Sequence, residues 1–375
     1  MDIHSATSTP ELTADVNKPV LSLCIPTYNR RDKLARLLNG IQQDLKDAAG
    51  KIEICISDNA STDGTNELLI ELSAHKYIRT IRQSENLGFR RNYTAVFSMA
   101  RGNYIWTLGD DDIIIENRLK NLLQLLQNES PGYVYVHIAS ADSDLPNYFQ
   151  HIKPGKYPVS ILYSMLCNEG MDMFGFIGSH IFPRYSYKIL TNGDEMITSG
   201  WPHLAILLAT SDNLESFLVT APLARQISDG LVWSSTNWVL VNMKKIDILG
   251  AYKPKWANKN LKFFSLTKET ILSRNSIMNL LNAKIVEPER FSEIVNKAYY
   301  YFKISRGTLK FTIFMYLILI FAIKYLPVSY MLKFFKPAYY RNKMTEYETL
   351  QREKSSLEGY SREPSKDIIE TSLAD

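Results

Sequence analysis

The first 140 residues alternate between short apolar runs and stretches with helical periodicity, and this pattern constrains the fold of the chain more than any other feature. Alternation of this kind is typical of a mostly parallel β-sheet flanked by helices. The sequence therefore predicts a Rossmann-like α/β domain whose ligands bind at the carboxyl ends of the strands. The predicted strands cover residues 20–25, 52–57, 78–82, 104–108 and 133–138.

Helical periodicity is clearest after the first predicted strand. Asp32 stands where an N-cap is expected, and five apolar residues then recur on one helical face. Later helices are predicted to begin near Asp63, Gly88 and Glu116. The apolar face of the first helix is formed by Leu34, Leu37, Leu38, Ile41 and Leu45.

Composition favours a globular cytoplasmic protein. A chain of 375 residues with 45% hydrophobic side chains can bury a large core. Its three cysteines, Cys24, Cys55 and Cys167, lie far apart and show no zinc-ligand spacing, so neither disulfides nor structural zinc are indicated. The polar first twenty residues do not resemble a secretory signal, so we expect the body of the protein to stay in the cytoplasm.

Two polar loops follow the first two predicted strands. They cover residues 26–30 (PTYNR) and 57–65 (SDNASTDGT). Asp58 could accept hydrogen bonds from a nucleobase, while backbone donors and hydroxyl groups hold a ribose. Taken alone, each loop is equally typical of an ordinary turn.

Two charged motifs follow. Residues 85–92 (ENLGFRRN) open a helix with a glycine and two arginines in its first turn, which suits a phosphate, although the arginines could equally be solvated. Asp110, Asp111 and Asp112 then stand at the end of the fourth apolar run. Carboxylates at a rigid strand end can hold Mg²⁺ or Mn²⁺ against a diphosphate, and the alternative is that they cap the next helix.

In this order and spacing, the four motifs resemble family 2 glycosyltransferases of the GT-A fold. They read LSLCIPTYNR (21–30), ICISDNASTDGT (54–65), ENLGFRRN (85–92) and YIWTLGDDD (104–112). The resemblance implies an inverting transferase that uses a nucleotide-diphosphate sugar and a divalent metal, Mg²⁺ or Mn²⁺. No nucleic acid partner is expected.

The resemblance also assigns roles to residues. Asp58 would read the base, and Arg91 would lie near the diphosphate or close to Asp58. The residues expected to bind the nucleotide sugar are Pro26, Thr27, Tyr28, Asn29, Arg30, Asp58, Asn59, Asn86, Gly88, Arg91 and Asp110.

The acidic motif departs from the family pattern. The family reads Leu-Asp-x-Asp-Asp, whereas this chain reads Leu-Gly-Asp-Asp-Asp, so Gly109 replaces the first acid. On that alignment Asp111 is expected to be the direct metal ligand, with Asp112 beside it. Asp110 is a candidate for the ribose or metal contact of the missing carboxylate.

His203 is the candidate general base that deprotonates the acceptor. It follows Trp201 and Pro202, and Pro202 fits a first helical turn. A helix N-terminus favours a neutral imidazole, which can accept a proton. The Trp-Pro-His element resembles the abequosyltransferase-like branch of the family, in which sugars are added to lipid-linked saccharides. Asp194 and Glu195 are the competing bases.

A basic aromatic segment lies near the C-terminus. Residues 300–344 carry eight basic and no acidic residues, and 311–323 form an uncharged apolar run. As a helix, that run rises about 20 Å, short of the roughly 30 Å hydrocarbon core of a bilayer. We expect a helical anchor lying on the anionic inner face of the cell membrane. The alternatives are a buried core helix and a spanning helix.

The expected organisation has five parts. Residues 1–18 form a disordered N-terminus, 19–140 the nucleotide-sugar-binding half and 141–299 the acceptor-binding half, while 300–344 associate with the membrane and 345–375 form a disordered charged tail. The expected acceptor is a polyprenyl-linked saccharide used in O-antigen or capsule assembly.

Other classes of protein fit less well. A dinucleotide-dependent oxidoreductase would need glycines in the loop 26–30, which has none. A processive membrane polymerase would show several spanning helices. A non-catalytic nucleotide- or carbohydrate-binding module of the same fold stays open as the alternative.

Overall fold

The computed structural model describes residues 18–48, 50–140, 152–168, 176–186, 201–210, 215–226, 239–240, 279–281, 283–284, 288–304, 307–325 and 327. The chain forms two compact units. Unit 1 comprises Met1–Asn192 and Asn213–Ile227, and unit 2 comprises Gly193–Asp212 and Ser228–Asp375. The predicted disordered ends and the basic segment beyond 327 lie outside the described residues.

Unit 1 is built on a nine-stranded mixed sheet. The strands are β1 Leu21–Thr27, β2 Ile52–Asp58, β3 Ile78–Arg82, β4 Tyr104–Thr107, β5 Asp112–Ile114, β6 Tyr133–Ser140, β7 Gly155–Pro158, β8 His180–Pro183 and β9 Glu215–Gln226. Their order in the sheet is β3-β2-β1-β4-β8-β6-β9-β5, and β7 pairs with β9.

The first four strands in the sheet order are parallel, which confirms the predicted arrangement for this half. β1 pairs with β2 and β4, and β2 pairs with β3. Every residue of β2 is buried, as expected for a strand covered on both faces. Thr27 pairs with Asp58 in register, so β1 and β2 end side by side. Any side chains in the loops after them are therefore brought together.

The other half of the sheet is mixed rather than mostly parallel. β8 pairs antiparallel with β4 and β6, while β9 pairs parallel with β6 and antiparallel with β5 and β7. Strands from the predicted acceptor-binding half thus complete the sheet of the nucleotide-binding half. Trp106 joins the two halves through its indole Nε1, which donates to the Gly178 carbonyl at 2.6 Å.

Six α-helices lie in the described part of unit 1. Three of them begin within two residues of the predicted starts, and the predicted crossover helix is also present. The helices are α1 Arg31–Gly40, α2 Gln42–Asp47, α3 Thr65–Leu72, α4 Gly88–Ser98, α5 Arg118–Glu129 and α6 Val159–Asn168.

The predicted N-cap of α1 is wrong. Asp32 lies inside the first turn, and its exposed carboxylate pairs with Arg31 at 3.0 Å. Instead, the amide of Arg31 donates to the carboxylate of Asp63 at 2.9 Å. A residue from the next loop therefore satisfies the helix end, and local sequence could not reveal it. Leu34, Leu37 and Leu38 do face the core as predicted.

Unit 2 is helical in its described parts. Its helices are α7 Pro202–Thr210, α8 Phe291–Ile304 and α9 Gly307–Tyr325. α8 and α9 share a hydrophobic cluster that includes Phe291, Ile294, Tyr316 and Ile320. Within the described part of the chain, no helix has both the length and the hydrophobicity needed to cross a membrane.

Candidate active site

The loops after β1 and β2 are bonded to each other at the carboxyl edge of the sheet. The amide of Asn59 donates to the Thr27 carbonyl at 3.0 Å. Asn29 adopts a positive φ of 50°, which asparagine tolerates better than most residues. Its amide donates to the Ser61 hydroxyl at 2.8 Å, and its side-chain oxygen accepts from the Thr62 amide at 2.8 Å. The loops 26–30 and 57–65, which are predicted to bind the nucleotide sugar, therefore form one surface.

Asp58 lies at the centre of this surface and is fully buried. Its carboxylate accepts hydrogen bonds from both the amide and the hydroxyl of Ser61. Arg82, at the end of β3, brings its Nε to 3.6 Å from the same carboxylate. Asp58 therefore fixes the shape of the loop, and its contact with a base stays a prediction.

The arginine beside Asp58 is Arg82, whereas the sequence named Arg91 as a candidate for a place near the diphosphate or close to Asp58. Arg82, which the sequence reasoning missed, pairs with Asp58 and donates to the Ser61 carbonyl at 2.9 Å. Arg91 is exposed on α4. The signal that could have revealed Arg82 is its position at the end of a strand adjacent to β2, where side chains meet Asp58.

Asn59 links the second loop to the start of α4. Its side-chain nitrogen donates to Asn86 at 2.6 Å, and its side-chain oxygen accepts from the Leu87 amide at 2.9 Å. Asn86 in turn accepts from the amide of Gly88, whose φ of +76° a side chain would strain. The structure thus brings Asn59, Asn86 and Gly88 together as predicted from the motifs.

Asn92 is a second residue that sequence reasoning missed. It is buried on α4, and its side-chain nitrogen donates to the carbonyls of Thr27 at 3.2 Å and Ser57 at 3.0 Å. Its oxygen accepts from the Ser57 hydroxyl at 2.6 Å. One amide side chain therefore holds the ends of two strands to one helix.

The acidic corner, formed by Asp110, Asp111 and Asp112, follows β4. Thr27 Oγ1 donates to Asp110 at 2.7 Å. The guanidinium of Arg30 lies 3.0 Å from Asp110 and 2.6 Å from Asp111. The side chain of Asp110 is 6% exposed and that of Asp111 is 25% exposed, so Asp111 is the more accessible carboxylate.

Asp112 closes the turn that contains this corner. Its carboxylate accepts from the Gly109 amide at 2.8 Å, and its own amide donates to the Gly109 carbonyl at 3.3 Å. A Cβ at position 109 would lie 2.8 Å from Asp111 Oδ1 and 3.1 Å from Asp112 Oδ2. A side chain at position 109 would therefore require the carboxylates of Asp111 and Asp112 to move.

Burial controls the protonation of this corner. Desolvation raises the pKa of Asp110 to about 6, against the lowering effects of Arg30 and Thr27. Desolvation also raises the pKa of Asp112 to about 7, although its bond from Gly109 lowers it. Both carboxylates therefore carry charge at a cost, and a nearby cation would relieve that cost.

The carboxylates of the acidic corner fit a divalent cation that is bound at the same time by a diphosphate. Among the described residues, no group of three or more His, Cys, Asp or Glu side chains is arranged to hold a metal by itself. Mg²⁺ is commonly bound by one or two carboxylates together with substrate phosphates, so a complete protein cage is not required. Asp111 is the accessible carboxylate for that arrangement, and Asp112 is buried in the turn.

Pro26 and Tyr28, the remaining residues predicted to bind the nucleotide sugar, are half-buried in the loop 26–30.

His203 lies in unit 2, and Pro202 begins α7 as predicted. The imidazole is 3% exposed, and its ring centroid lies 5.5 Å from that of Trp201. Its role as the base stays a prediction. The competing Asp194 and Glu195 lie outside the described residues.

The mixed sheet with its flanking helices defines an α/β domain of the GT-A type. Residues 22–187 match the model of "Glycosyl transferase family 2", and this part of the chain is a domain of that family. The predicted fold class and family are confirmed.

Two relatives each match about a third of the chain. Abequosyltransferase RfbV of Salmonella typhimurium is 44% identical over 118 residues, 31% of this chain and 35% of that protein. The GalNAc(5)-diNAcBac-PP-undecaprenol beta-1,3-glucosyltransferase of Campylobacter jejuni is 32% identical over 123 residues, 32% of this chain and 37% of that protein. The matches thus span little more than a third of either relative.

Solved structures share the fold over a longer stretch. The crystal structure of S. aureus TarS 1-349 superposes with a TM-score of 0.56 at 13% identity, covering 88% of this chain and 91% of TarS. Its complex with UDP-GlcNAc gives a TM-score of 0.56 at 15% identity, covering 91% and 93%. At this identity the likeness shows the fold alone.

Proposed function

We propose that the chain is an inverting glycosyltransferase that moves a sugar from a nucleotide-diphosphate sugar to a saccharide acceptor. One observation carries this proposal: Thr27, at the end of β1, and Arg30, in the loop after it, bond directly to the carboxylates after β4. The arrangement brings cationic and carboxylate groups together at the carboxyl edge of the sheet. Such groups bind a diphosphate and its metal. The family match and the relatives' names support the same activity.

Asp111 is the proposed holder of Mg²⁺ or Mn²⁺, with Asp110 and Asp112 supplying negative charge beside it. When bound, such an ion neutralises the charge that develops on a departing nucleoside diphosphate. Arg30 already lies within hydrogen-bond distance of Asp110 and Asp111. Its guanidinium is suited to bind the phosphate oxygens of a donor at the same edge.

The proposed reaction is a single displacement. The acceptor oxygen forms a bond to the anomeric carbon on the face opposite the nucleotide, and the bond from that carbon to the diphosphate oxygen breaks. The configuration is therefore inverted. The acceptor proton passes to a general base, for which His203 is proposed on its sequence context and its position in the first turn of α7. The joined donor loops contribute alignment of the reacting groups.

We further propose that the acceptor is a polyprenyl-linked saccharide used in surface polysaccharide assembly, such as an O-antigen or capsule. The name of the Campylobacter relative, which includes PP-undecaprenol, supports this class of acceptor. Such an acceptor is confined to a membrane surface, so the enzyme would gain from attachment to the cytoplasmic face.

The exposed face of α9 supports that attachment. α9 is apolar on two sides: one side packs in the cluster with α8, and the other is open to solvent. A helix that is apolar all round normally faces protein or lipid on every side. The exposed apolar residues, here called the α9 stripe, are Phe311, Phe314, Met315, Ile318, Phe321 and Tyr325.

Charge favours an anionic bilayer as the partner of the α9 stripe. Lys303 lies in the last turn of α8 and Lys324 in the last turn of α9, and no acidic residue occurs between 300 and 344. Aromatic and basic side chains are both stabilised in the headgroup region of anionic membranes. We propose that α9 lies on the inner face of the membrane.

The transferase proposal is tested by assaying a panel of nucleotide sugars with membrane lipid extract, with and without Mg²⁺ or Mn²⁺. Asp111→Asn should lower transfer about a hundredfold or more, because it removes the accessible carboxylate. Asp47→Asn, which changes an exposed carboxylate on α2, is the matched control and should keep parental activity. Donor binding without any turnover in the parent would instead support a non-catalytic binding module.

A further inference from the structure

A cavity lies in unit 1, at the sheet edge opposite the acidic corner. It has a volume of about 550 Å³ and is bordered by Pro19, before β1, and by Ile52 and Tyr77, at the starts of β2 and β3. We call it the rear cavity. Its basic lining residues are Lys18, Lys46, Lys76, Arg79, Arg101 and Arg184.

The rear cavity is strongly positive. Six basic side chains line it together with one carboxylate, Glu53, which leaves an excess of five positive charges. Glu53 is 5% exposed and already accepts hydrogen bonds from the Ser22 hydroxyl at 2.6 Å and from the amides of Arg101 at 2.5 Å and Gly102 at 3.1 Å. Its carboxylate is therefore fixed against the backbone beneath the cavity.

The excess charge is concentrated by the shape of the fold. The basic residues come from distant parts of the sequence: Lys46 lies on α2, Lys76 precedes β3, and Arg184 follows β8. The starts of the parallel strands β2 and β3 and the end of β8, which runs antiparallel to β4, lie at the same edge of the sheet. Like charges gathered in a concave site repel one another, and a bound anion would lower that repulsion.

The position separates this cavity from the proposed reaction. β1 has seven residues and runs from the rear cavity to Thr27, so the two sites are about 20 Å apart at 3.3 Å per residue. A nucleotide sugar bound at the acidic corner would not fill both sites. The inference therefore does not depend on the proposed function.

We propose that the rear cavity binds a small ligand that carries a phosphate or diphosphate group. Its volume lies in the usual range for small-molecule sites. Lysine and arginine are the natural partners of phosphate oxygens, and Tyr77, Leu45 and Ile52 supply an apolar wall for the remainder of the ligand. The phosphate could belong to a free metabolite or to a lipid headgroup.

The test uses the full chain and sodium pyrophosphate in isothermal titration calorimetry at low salt, with EDTA present. EDTA removes divalent ions, so the acidic corner repels the probe. We expect the parent to bind with a dissociation constant below about 1 mM. The variant Lys46→Gln/Lys76→Gln/Arg101→Gln, which changes three exposed basic residues of the cavity, should bind about tenfold more weakly or worse.

A control variant makes the result specific. Arg36→Gln/Lys120→Gln/Lys153→Gln removes the same charge from exposed positions that do not line the cavity and should bind within twofold of the parent. Pyrophosphate binding is measured without sugar transfer, so failure of the transferase proposal would leave this result unchanged. Lack of binding by the parent, or equal losses in both triple variants, would overturn the proposal.

Competition identifies the source of the phosphate. Phosphatidylglycerol vesicles that displace pyrophosphate from the parent, when phosphatidylcholine vesicles do not, would identify a lipid headgroup as the ligand. Retention of pyrophosphate in the presence of both kinds of vesicle would identify a free phosphorylated compound.

Discussion

The residue that departs from the family pattern, Gly109, shows how a single position shapes the acidic corner. With no side chain at position 109, the carboxylate of Asp112 reaches the Gly109 amide and the Asp111 carboxylate stays close by. An acid at 109 would compete for the same space. Relative to the family pattern, Asp111 and Asp112 keep their positions and the first carboxylate stands at 110 instead of 109, where Asp110 takes the bond from Thr27.

The protonation of Asp112 should make stability depend on pH. Its pKa rises from 3.8 to about 7 on folding, so between these values the folded state binds more protons than the unfolded state. Stability from this group is therefore lost as pH rises through that window. In EDTA, Asp112→Asn should raise the melting temperature at pH 8 by about 3 °C or more and have little effect at pH 4.

The matched control for this pH dependence is Asp47→Asn, which alters an exposed carboxylate. Its melting temperature should follow that of the parent at every pH. If the melting temperature of Asp112→Asn also followed that of the parent at every pH, the charged, buried carboxylate of Asp112 would not destabilise the fold. The description of the acidic corner would then be wrong.

His203 is the residue on which the proposed proton transfer depends. His203→Gln keeps much of the size of the buried side chain but cannot act as a base near neutral pH, so single-turnover transfer should fall about a hundredfold with donor affinity unchanged. A retained melting temperature would show that the fold survives the change. Full transfer activity in the variant would remove His203 as the base and favour Asp194 or Glu195.

At the scale of elements, Asn92 makes the donor surface rigid because it holds α4 to the ends of β1 and β2. Asn92→Ala would leave two buried carbonyls and the Ser57 hydroxyl without this partner. We expect the free energy of unfolding to fall by on the order of 3 kcal/mol, and donor binding to weaken with it. Urea denaturation and nucleotide titration measure both effects.

Asn39→Ala on α1 is the matched control, because Asn39 is exposed and bonds only locally to Gln42. Asn39→Ala should lower the free energy of unfolding by less than about 1 kcal/mol. Equal losses in the two variants would contradict the proposed link between the two strands and the helix.

Much of the first half of the fold could be predicted from the sequence. β1, β2 and β4 are almost entirely buried and rich in apolar residues, which are strong local signals, whereas β3 is mostly half-buried. β5, with three residues, and β8, with four, are too short for a periodic signal. β9 contains Pro222, which argues against a strand, and its pairing with β6 depends on residues about 80 positions away.

The site could be predicted as a set of loops but not as a set of bonds. Motifs placed Asn29, Asp58 and Asp110 at one edge, because parallel strands end together. The pairing of Arg30 with two carboxylates, and of Arg82 with Asp58, depends on side-chain direction after folding. The position of Arg82 at the end of a predicted strand could have indicated that it lies at this edge, but its pairing with Asp58 is seen only in the structure.

At the scale of the whole molecule, the proposed acceptor is confined to a membrane, so the proposed transferase would need to attach to it. The α9 stripe should supply the attachment. Phe314→Ser/Ile318→Ser replaces two exposed apolar residues and should reduce co-sedimentation with phosphatidylglycerol vesicles about tenfold, since each residue loses buried apolar area.

Ile70→Ser/Ile161→Ser is the control for this attachment, because both residues are exposed and apolar but lie in unit 1. It should sediment with vesicles as the parent does. A parent chain that stays in the supernatant with anionic vesicles at low salt would contradict the membrane proposal, while leaving the transferase proposal intact.

The central claim is that a carboxylate-bound divalent ion at the acidic corner neutralises the diphosphate of the donor. Anomalous diffraction from crystals of the full chain grown with Mn²⁺ and a nucleoside diphosphate tests it most directly. We predict an anomalous peak between the carboxylate of Asp111 and the diphosphate oxygens. A bound nucleotide with its diphosphate elsewhere, or with no Mn²⁺ beside Asp111, would contradict the account.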